Sequence, residues 1–263
     1  MKIKKFPGNW QIPKFELIEL APRRTKYCIC IPIKNEGAKI KKQLKRMASY
    51  LKLADLIISD WGSTDGSTEP KLLKKSGVRT LLIKKSEGKQ AAQLRIGFAY
   101  ALSEGYGGII QIDGNNKDGV SAIPRFIKAL DEGYDYIQGS RFIKGGKEIN
   151  TPFLRRFGIR FITSPILSIA ARHWYTDVTN GFRAYSKRYL LHPKVKPFRN
   201  IFVSYALNFY LCVRANQLGF KTKEIPVSRK YPKGKVPTKM SSLKSQADLL
   251  VEVLQTAFGY YHP

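Results

Sequence analysis

Three aliphatic runs, each cut off by an acid or an acid-bearing turn, constrain what this chain can fold into more than anything else in it. Tyr27-Cys28-Ile29-Cys30-Ile31-Pro32-Ile33 leads into Lys34-Asn35-Glu36, Leu56-Ile57-Ile58-Ser59 ends on Asp60, and Gly108-Ile109-Ile110-Gln111-Ile112 ends on Asp113-Gly114-Asn115. Apolar runs without polar alternation suit parallel strands covered on both faces. Ligands of such sheets bind just beyond the carboxyl ends of the strands, so Asp113 stands where chemistry is expected. Asp, Gly and Asn also favour turns for backbone reasons, and by itself Asp113-Gly114-Asn115 reads equally as a plain turn.

Helix-patterned stretches separate the runs. Residues 38–51 are amphipathic after the Asn35-Glu36-Gly37 loop, Gly62-Ser63-Thr64-Asp65-Gly66-Ser67 precedes a short helix over 70–75, and residues 90–103 form a third helix after a strand over 78–83. A helix over 120–130 and a strand over 134–138 continue the alternation. It predicts an α/β fold with a doubly wound, mostly parallel central sheet and flanking helices. The remainder is less regular: one or two helices over 151–171, a helix over 201–218, a strand over 222–227, a basic loop over 229–239 and an amphipathic helix over 242–258. Residues 1–26 read as a basic lead-in, 27–240 as a single domain and 241–263 as a helical C-terminal extension.

Across 263 residues, 47 Lys and Arg against 19 Asp and Glu leave a formal charge of +28, a field that draws in polyanions, nucleotides or acidic lipid head groups. A hydrophobic fraction of 43% supports a sizeable core and excludes a disordered chain. The basic N-terminus is not followed by the apolar segment of a secretory signal, and the longest apolar runs, 161–171 and 203–213, fall short of the roughly 20 residues of a membrane span. Cys28, Cys30 and Cys212 are placed like buried thiols of a reducing cytosol rather than a disulfide frame or zinc site, so a cytoplasmic location is expected. His173 has no second histidine at ligand spacing and reads as a packed or surface residue.

Taken in order, Pro32-Ile33-Lys34-Asn35-Glu36, Asp60-Trp61-Gly62-Ser63-Thr64-Asp65-Gly66-Ser67, Gly88-Lys89 and Asp113 resemble the family 2 glycosyltransferases of the GT-A fold, over residues 27–118. The resemblance implies a nucleotide-sugar half in which Pro32, Glu36, Asp60, Ser63 and Asp65 hold the base and ribose. Ionised carboxylates accept from base N–H groups and ribose hydroxyls, and a Gly-Ser loop lets the nucleotide approach the backbone. Gly88 and Lys89 would lie near its phosphates. The family holds Mg2+ or Mn2+ on an Asp-x-Asp at the fourth strand, where this chain has Asp113-Gly114-Asn115. Asp113 is then the firm metal ligand and Asn115 the weaker one, with Asn116 or Asp118 able to complete the shell.

Further on, Gly139-Ser140-Arg141-Phe142, Arg155-Arg156, the stretch 177–185 and Glu224-Ile225-Pro226-Val227 resemble the dolichol- or polyprenyl-phosphate sugar transferase branch. This implies an acceptor half over 119–240, with Ser140, Arg141, Arg155 or Arg156, and Arg183 clamping the acceptor's phosphate. The branch often has Ser where this chain has Ile159. A lipid phosphate is already an anionic nucleophile, whereas a hydroxyl acceptor needs a general base. Asp177 is the candidate base beside the catalytic Asp113, and its alternative role is a helix cap or an arginine partner. The basic stretch 229–239 matches a mobile lid over the donor diphosphate, with Arg229, Lys235 and Lys239 as contacts, although charge runs are usually solvated.

The implied activity is inverting transfer of a sugar from a nucleotide-sugar donor to a polyprenyl-type phosphate at the cytoplasmic membrane face. Association with an anionic membrane surface would be peripheral, through net charge and the tail over 257–261. The rivals are transfer to a glycan hydroxyl, an inactive scaffold suggested by Asn115, and a basic nucleic-acid binder. The last explains the charge but not the strand-end acids, which repel phosphate, so no nucleic-acid partner is expected.

Overall fold

The computed structural model describes residues 6–232 and 243–263. The strands are β1 (Phe15–Glu19), β2 (Tyr27–Ile33), β3 (Ala54–Asp60), β4 (Val78–Lys84), β5 (Gly108–Gln111), β6 (Tyr136–Ser140), β7 (Lys147–Ile149), β8 (Arg183–Ser186), β9 (Thr222–Pro226) and β10 (Ser228–Lys230). Eight of them make one sheet of order β1-β4-β3-β2-β5-β8-β6-β9, and β10 pairs with β7 apart from it. Within the large sheet β1 and β8 run antiparallel to their neighbours and the other pairings are parallel. The expected α/β sheet, mostly parallel and covered by helices, is the observed one.

Both faces of the central strands are buried, as their unbroken apolar text requires. In β2, Cys28 and Cys30 point into one core, with Leu94 and Phe98 of α3 (Gln90–Ser103) and Leu207 and Leu211 of α8 (Ala206–Gln217). Tyr27, Ile29, Ile31 and Ile33 point into the other, with Ile40 and Leu44 of α1 (Gly37–Met47), Leu73 of α2 (Pro70–Lys75) and Phe126 of α4 (Ile123–Asp131). The period of two along the strand assigns each side chain to its core. All three cysteines are free and buried.

A continuous helical segment runs from α5 (Phe153–Gly158) through a π-helical turn (Ile159–Thr163) into α6 (Ser164–Ala171), followed by the short α7 (Lys187–Leu190). The last helix, α9 (Leu243–Ala257), packs on α6 and α8. Among the described residues no helix is long and apolar enough to cross a membrane.

Three features depart from the expected layout. Residues 15–19 are no lead-in to the sheet but its edge, paired with β4 from Phe15 opposite Lys84 to Glu19 opposite Thr80. An antiparallel strand that the helix–strand alternation does not mark, β8, lies between β5 and the strand after residue 134. The helix of 201–218 begins only at Ala206. The second departure shapes the site. Running opposite to β5 and β6, β8 places its entering residue Arg183 beside Gln111 and Gln138, so residues 177–182 arrive at the edge where the parallel strands end.

Candidate active site

The loops after β2 and β3 are stitched together where those strands end. Asn35 takes a left-handed backbone, φ 51°, and its side-chain oxygen accepts from the Thr64 amide at 2.9 Å. Its own amide donates to Ser63 Oγ at 2.8 Å, and Ser63 in turn donates from N and Oγ to Asp60 at 2.8 and 2.5 Å. Below them, buried Gln93 donates to the carbonyls of Ile33 and Ser59. Asp60 is buried with both oxygens turned onto Ser63, so it shapes the loop from beneath. Pro32 is buried in β2 opposite Ser59. Glu36 stands at the N-cap position of α1 without a side-chain cap hydrogen bond and pairs with Lys39 at 3.2 Å. Asp65 is exposed and holds the amide and hydroxyl of Ser67, whose hydroxyl accepts from the Gly37 amide.

Asp113, after β5, is held from three sides. Gln43, fully buried on α1, donates to the Asp113 carbonyl at 2.9 Å and accepts the Asn116 amide at 2.7 Å, which fixes the turn. Arg229 of β10 bridges two acids, donating to Asp113 Oδ2 at 3.1 Å and to Asp118 Oδ2 at 2.6 Å. Gly181 lies against the carboxylate so closely that a Cβ there would stand 2.6 Å from Asp113 Oδ1. Burial pushes the Asp118 carboxyl up, against the pull of Arg229, and its Oδ1 is buried with no hydrogen-bond partner.

This donor set bears on the metal. Among the described residues no three His, Cys, Asp or Glu side chains group into a metal shell. Asn115 donates from Nδ2 to Asp113 Oδ2 at 3.4 Å, while its Oδ1, the atom that could join Asp113 on a metal, accepts from the Lys117 amide at 3.1 Å. Two oxygen ligands suit Mg2+ or Mn2+, which keeps waters and takes its other ligands from substrate phosphate, and do not suit a closed protein site.

A second cluster forms around Tyr231, a buried residue with no signal in the sequence. The cations of Lys117, Arg155 and Arg229 lie 5.0, 5.6 and 5.7 Å from its ring centre, and Arg141 NH1 approaches its hydroxyl at 3.5 Å. Burial alone would raise the phenol, but Arg229, Arg155 and Arg141 outweigh it and hold it below its ordinary value. Arg229 and Arg141 are themselves paired with Asp113, Asp118 and Asp177, so an anion arriving here would chiefly meet Lys117 and Arg155.

The structure divides the residues expected on the acceptor's phosphate. Arg155 faces this cluster, while Arg156 turns to Glu148 at 2.8 Å. Arg141 is forked onto Asp177, Nε to Oδ2 at 2.6 Å and NH2 to Oδ1 at 2.8 Å, with both side chains buried. Asp177 thus stands in the second of its two expected roles, that of an arginine partner, and Arg141, expected on the acceptor's phosphate, turns Nε and Nη2 onto that acid. Ser140 is buried, its hydroxyl shared with Thr176. Arg183 is corrected outright, since it is fully buried and donates to the carbonyls of Val178, Asn180 and Asn208. It holds the 177–182 loop to α8.

Of the residues expected beside the donor phosphates, Arg229 sits between Asp113 and Asp118 as a fixed counter-ion. Gly88 and Lys89 follow β4, separated from Asp113 by β3 and β2; Gly88 has φ 115°, and Lys89 is exposed. Lys235 and Lys239, and with them most of the expected lid, lie outside the described residues. Gln43, Gly181 and Tyr231 were not legible as site residues: each acts through a neighbour distant in sequence.

Comparison with known proteins bears on the family and the fold. Residues 28–192 match the model of the family described as Glycosyl transferase family 2. The undecaprenyl-phosphate mannosyltransferase of Micrococcus luteus is 25% identical over 201 residues, 75% of this chain and 81% of that protein. The polyprenol monophosphomannose synthase of Mycolicibacterium smegmatis is 26% identical over 204 residues, 76% of each chain. Among solved structures, glucosyl-3-phosphoglycerate synthase from Mycobacterium tuberculosis, in complex with Mn2+, UDP-glucose and phosphoglyceric acid, is similar at a TM-score of 0.64 and 15% identity, covering 89% of this chain and 78% of that one. The same enzyme with Mg2+ and UDP gives 0.63 at 16% identity, covering 89% and 79%. The likeness to these structures is one of fold. With more than half of its length matched by the family, this chain belongs to glycosyl transferase family 2.

Proposed function

We propose that the chain moves a sugar from a nucleotide-sugar donor to the phosphate of a polyprenyl-type lipid, with inversion at the anomeric carbon. The fork of Arg141 on Asp177 carries this reading, because it removes the acid that would have activated a hydroxyl. A phosphate acceptor needs no such base. Its oxygen forms the new bond to the anomeric carbon while the bond to the donor diphosphate breaks, and the nucleoside diphosphate leaves with the electron pair. The names of the relatives from Micrococcus luteus and Mycolicibacterium smegmatis support the same acceptor class.

On this reading Glu36 and the Asn35-Ser63-Asp60 stitch receive the base and ribose, with Asp65 at the rim. Asp113 and Asn115 would hold Mg2+ or Mn2+, which when bound supplies positive charge to the departing diphosphate. Arg155 and Lys117, around Tyr231, receive the acceptor's phosphate. A groove of about 390 Å³ lined by Phe142, Phe161, Pro165, Trp174 and Thr176 begins next to Ser140 and takes the first isoprene units. The enzyme works peripherally on the cytoplasmic face of a membrane.

The test is mass spectrometry of products made from UDP- and GDP-sugars, Mn2+ and either a short-chain polyprenyl phosphate or a glycan acceptor. A hexosyl prenyl phosphate is expected. Turnover confined to the glycan would overturn the reading.

A further inference from the structure

The helical segment over 153–171 carries an exposed apolar face that meets the groove beside Ser140 only at Phe161 and Arg160. Phe153 is 76% exposed, Leu154 82% and Phe161 66%, with Phe157 also exposed, in a chain whose other large apolar side chains mostly lie in two cores. At the α-helical step Phe153, Leu154 and Phe157 fall within an arc of about 100°, and Phe161, in the π-helical turn, continues it with its ring centre 5.0 Å from that of Phe157. Arg156 and Arg160 border that arc, and with Phe153, Phe157 and Phe161 they line a shallow apolar depression. The opposite side of the same helix faces the protein: Ile159 and Thr163 are buried, and Arg155 reaches the Tyr231 cluster.

We propose that Phe153, Leu154, Phe157 and Phe161 insert into an anionic phospholipid surface, with Arg160 at head-group level and Arg156 beside it, paired with Glu148. Charge complementarity selects this partner. The formal charge is +28, the arc is bordered by guanidiniums, and protruding aromatic and leucine side chains beside basic ones are the composition of a helix lying in a membrane interface. A second copy of this chain would bring the same arginines together and repel. Geometry adds a consequence. Since Arg155 of this helix faces the anion cluster while Leu154 faces outward, the bound bilayer lies next to the place where a lipid phosphate must arrive. That consequence, and only that, rests on the polyprenyl-phosphate reading. The exposed part of the tail is smaller than expected, because Tyr261 turns inward onto Phe202 at 5.4 Å, leaving Phe258 and Tyr260 outside.

The experiment is co-sedimentation of the full chain with vesicles of phosphatidylglycerol and phosphatidylcholine, or of phosphatidylcholine alone, for wild type and for the double variant Phe153→Glu/Leu154→Glu. Both positions are exposed, so the variant keeps its melting temperature. Wild type should bind the anionic vesicles, and the variant should bind them about tenfold or more weakly, as expected from withdrawing two apolar side chains from the interface. Equal binding of the two proteins would mean that net charge alone attracts the membrane, and would overturn the proposal. So would a wild-type dimer that the variant dissociates, with no vesicle binding by either. Turnover of a water-soluble short-chain prenyl phosphate, measured without vesicles, reads the catalytic function separately: its loss in wild type sinks that function and leaves the vesicle result standing.

Discussion

Arg141 and Asp177, 36 residues apart, meet as a buried fork with hydrogen bonds of 2.6 and 2.8 Å, so each partner's side chain is engaged by the other. The Arg141 amide also donates to Asp177 at 3.1 Å, so the acid ties the end of β6 to the start of the 177–182 loop. Removing one partner of a buried pair strands the other charge and costs about 3–5 kcal/mol. Asp177→Asn is therefore expected to lower unfolding stability by that amount in urea titration. A variant of wild-type stability that has lost only turnover would return Asp177 to the role of base.

Arg229 holds Asp113 and Asp118 with separate nitrogens of one guanidinium. A lysine keeps the charge but cannot grip two carboxylates in this planar manner. In Arg229→Lys the Asp113 loop should loosen, and nucleotide affinity with Mn2+, read by calorimetry, should fall about tenfold, the equivalent of about 1.4 kcal/mol. Unchanged affinity would show that the bridge has no part in donor binding.

Gly181 is required by proximity, not by its backbone angles. Gly181→Ala would set a methyl group 2.6 Å from Asp113 Oδ1, and the side chain of Asp113 is the part able to move. Turnover should drop about 100-fold from displacement of this one carboxylate. The melting temperature should change little. If kcat survives, Asp113 does not act from its observed position.

Glu224 gives the fold a pH dependence. Burial raises its carboxyl above the ordinary value, although the Thr176 amide and hydroxyl, at 2.9 to 3.2 Å, pull the other way. A carboxyl raised on folding contributes stability that is complete below its unfolded value of about 4.3 and is lost as pH climbs through the folded one. Relative to Glu224→Gln, the wild type should therefore lose stability across that window. Urea midpoints from about pH 4 to about pH 7 measure it, and parallel curves would show that the Thr176 donors prevail over burial.

By itself the sequence determined the sheet and its active edge. Unbroken apolar runs such as Tyr27–Ile33 can be satisfied only where both faces are covered, and an acid that ends such a run is delivered to the strand's carboxyl end whatever surrounds it. Local chemistry sufficed for Asp60, Asn115 and the Gly62-to-Ser67 loop, where the interacting residues are close in sequence. What each charged group does there was decided by tertiary structure alone. Arg229 reaches Asp118 across 111 positions, Gln43 reaches Asp113 across 70, and β8 enters between β5 and β6 from far down the chain. An arginine looks the same in the sequence whether it clamps a phosphate, as proposed for Arg155, neutralises a buried acid as Arg141 does, or pins backbone carbonyls as Arg183 does. Burial and partner separate the three, and both arise only when distant segments pack.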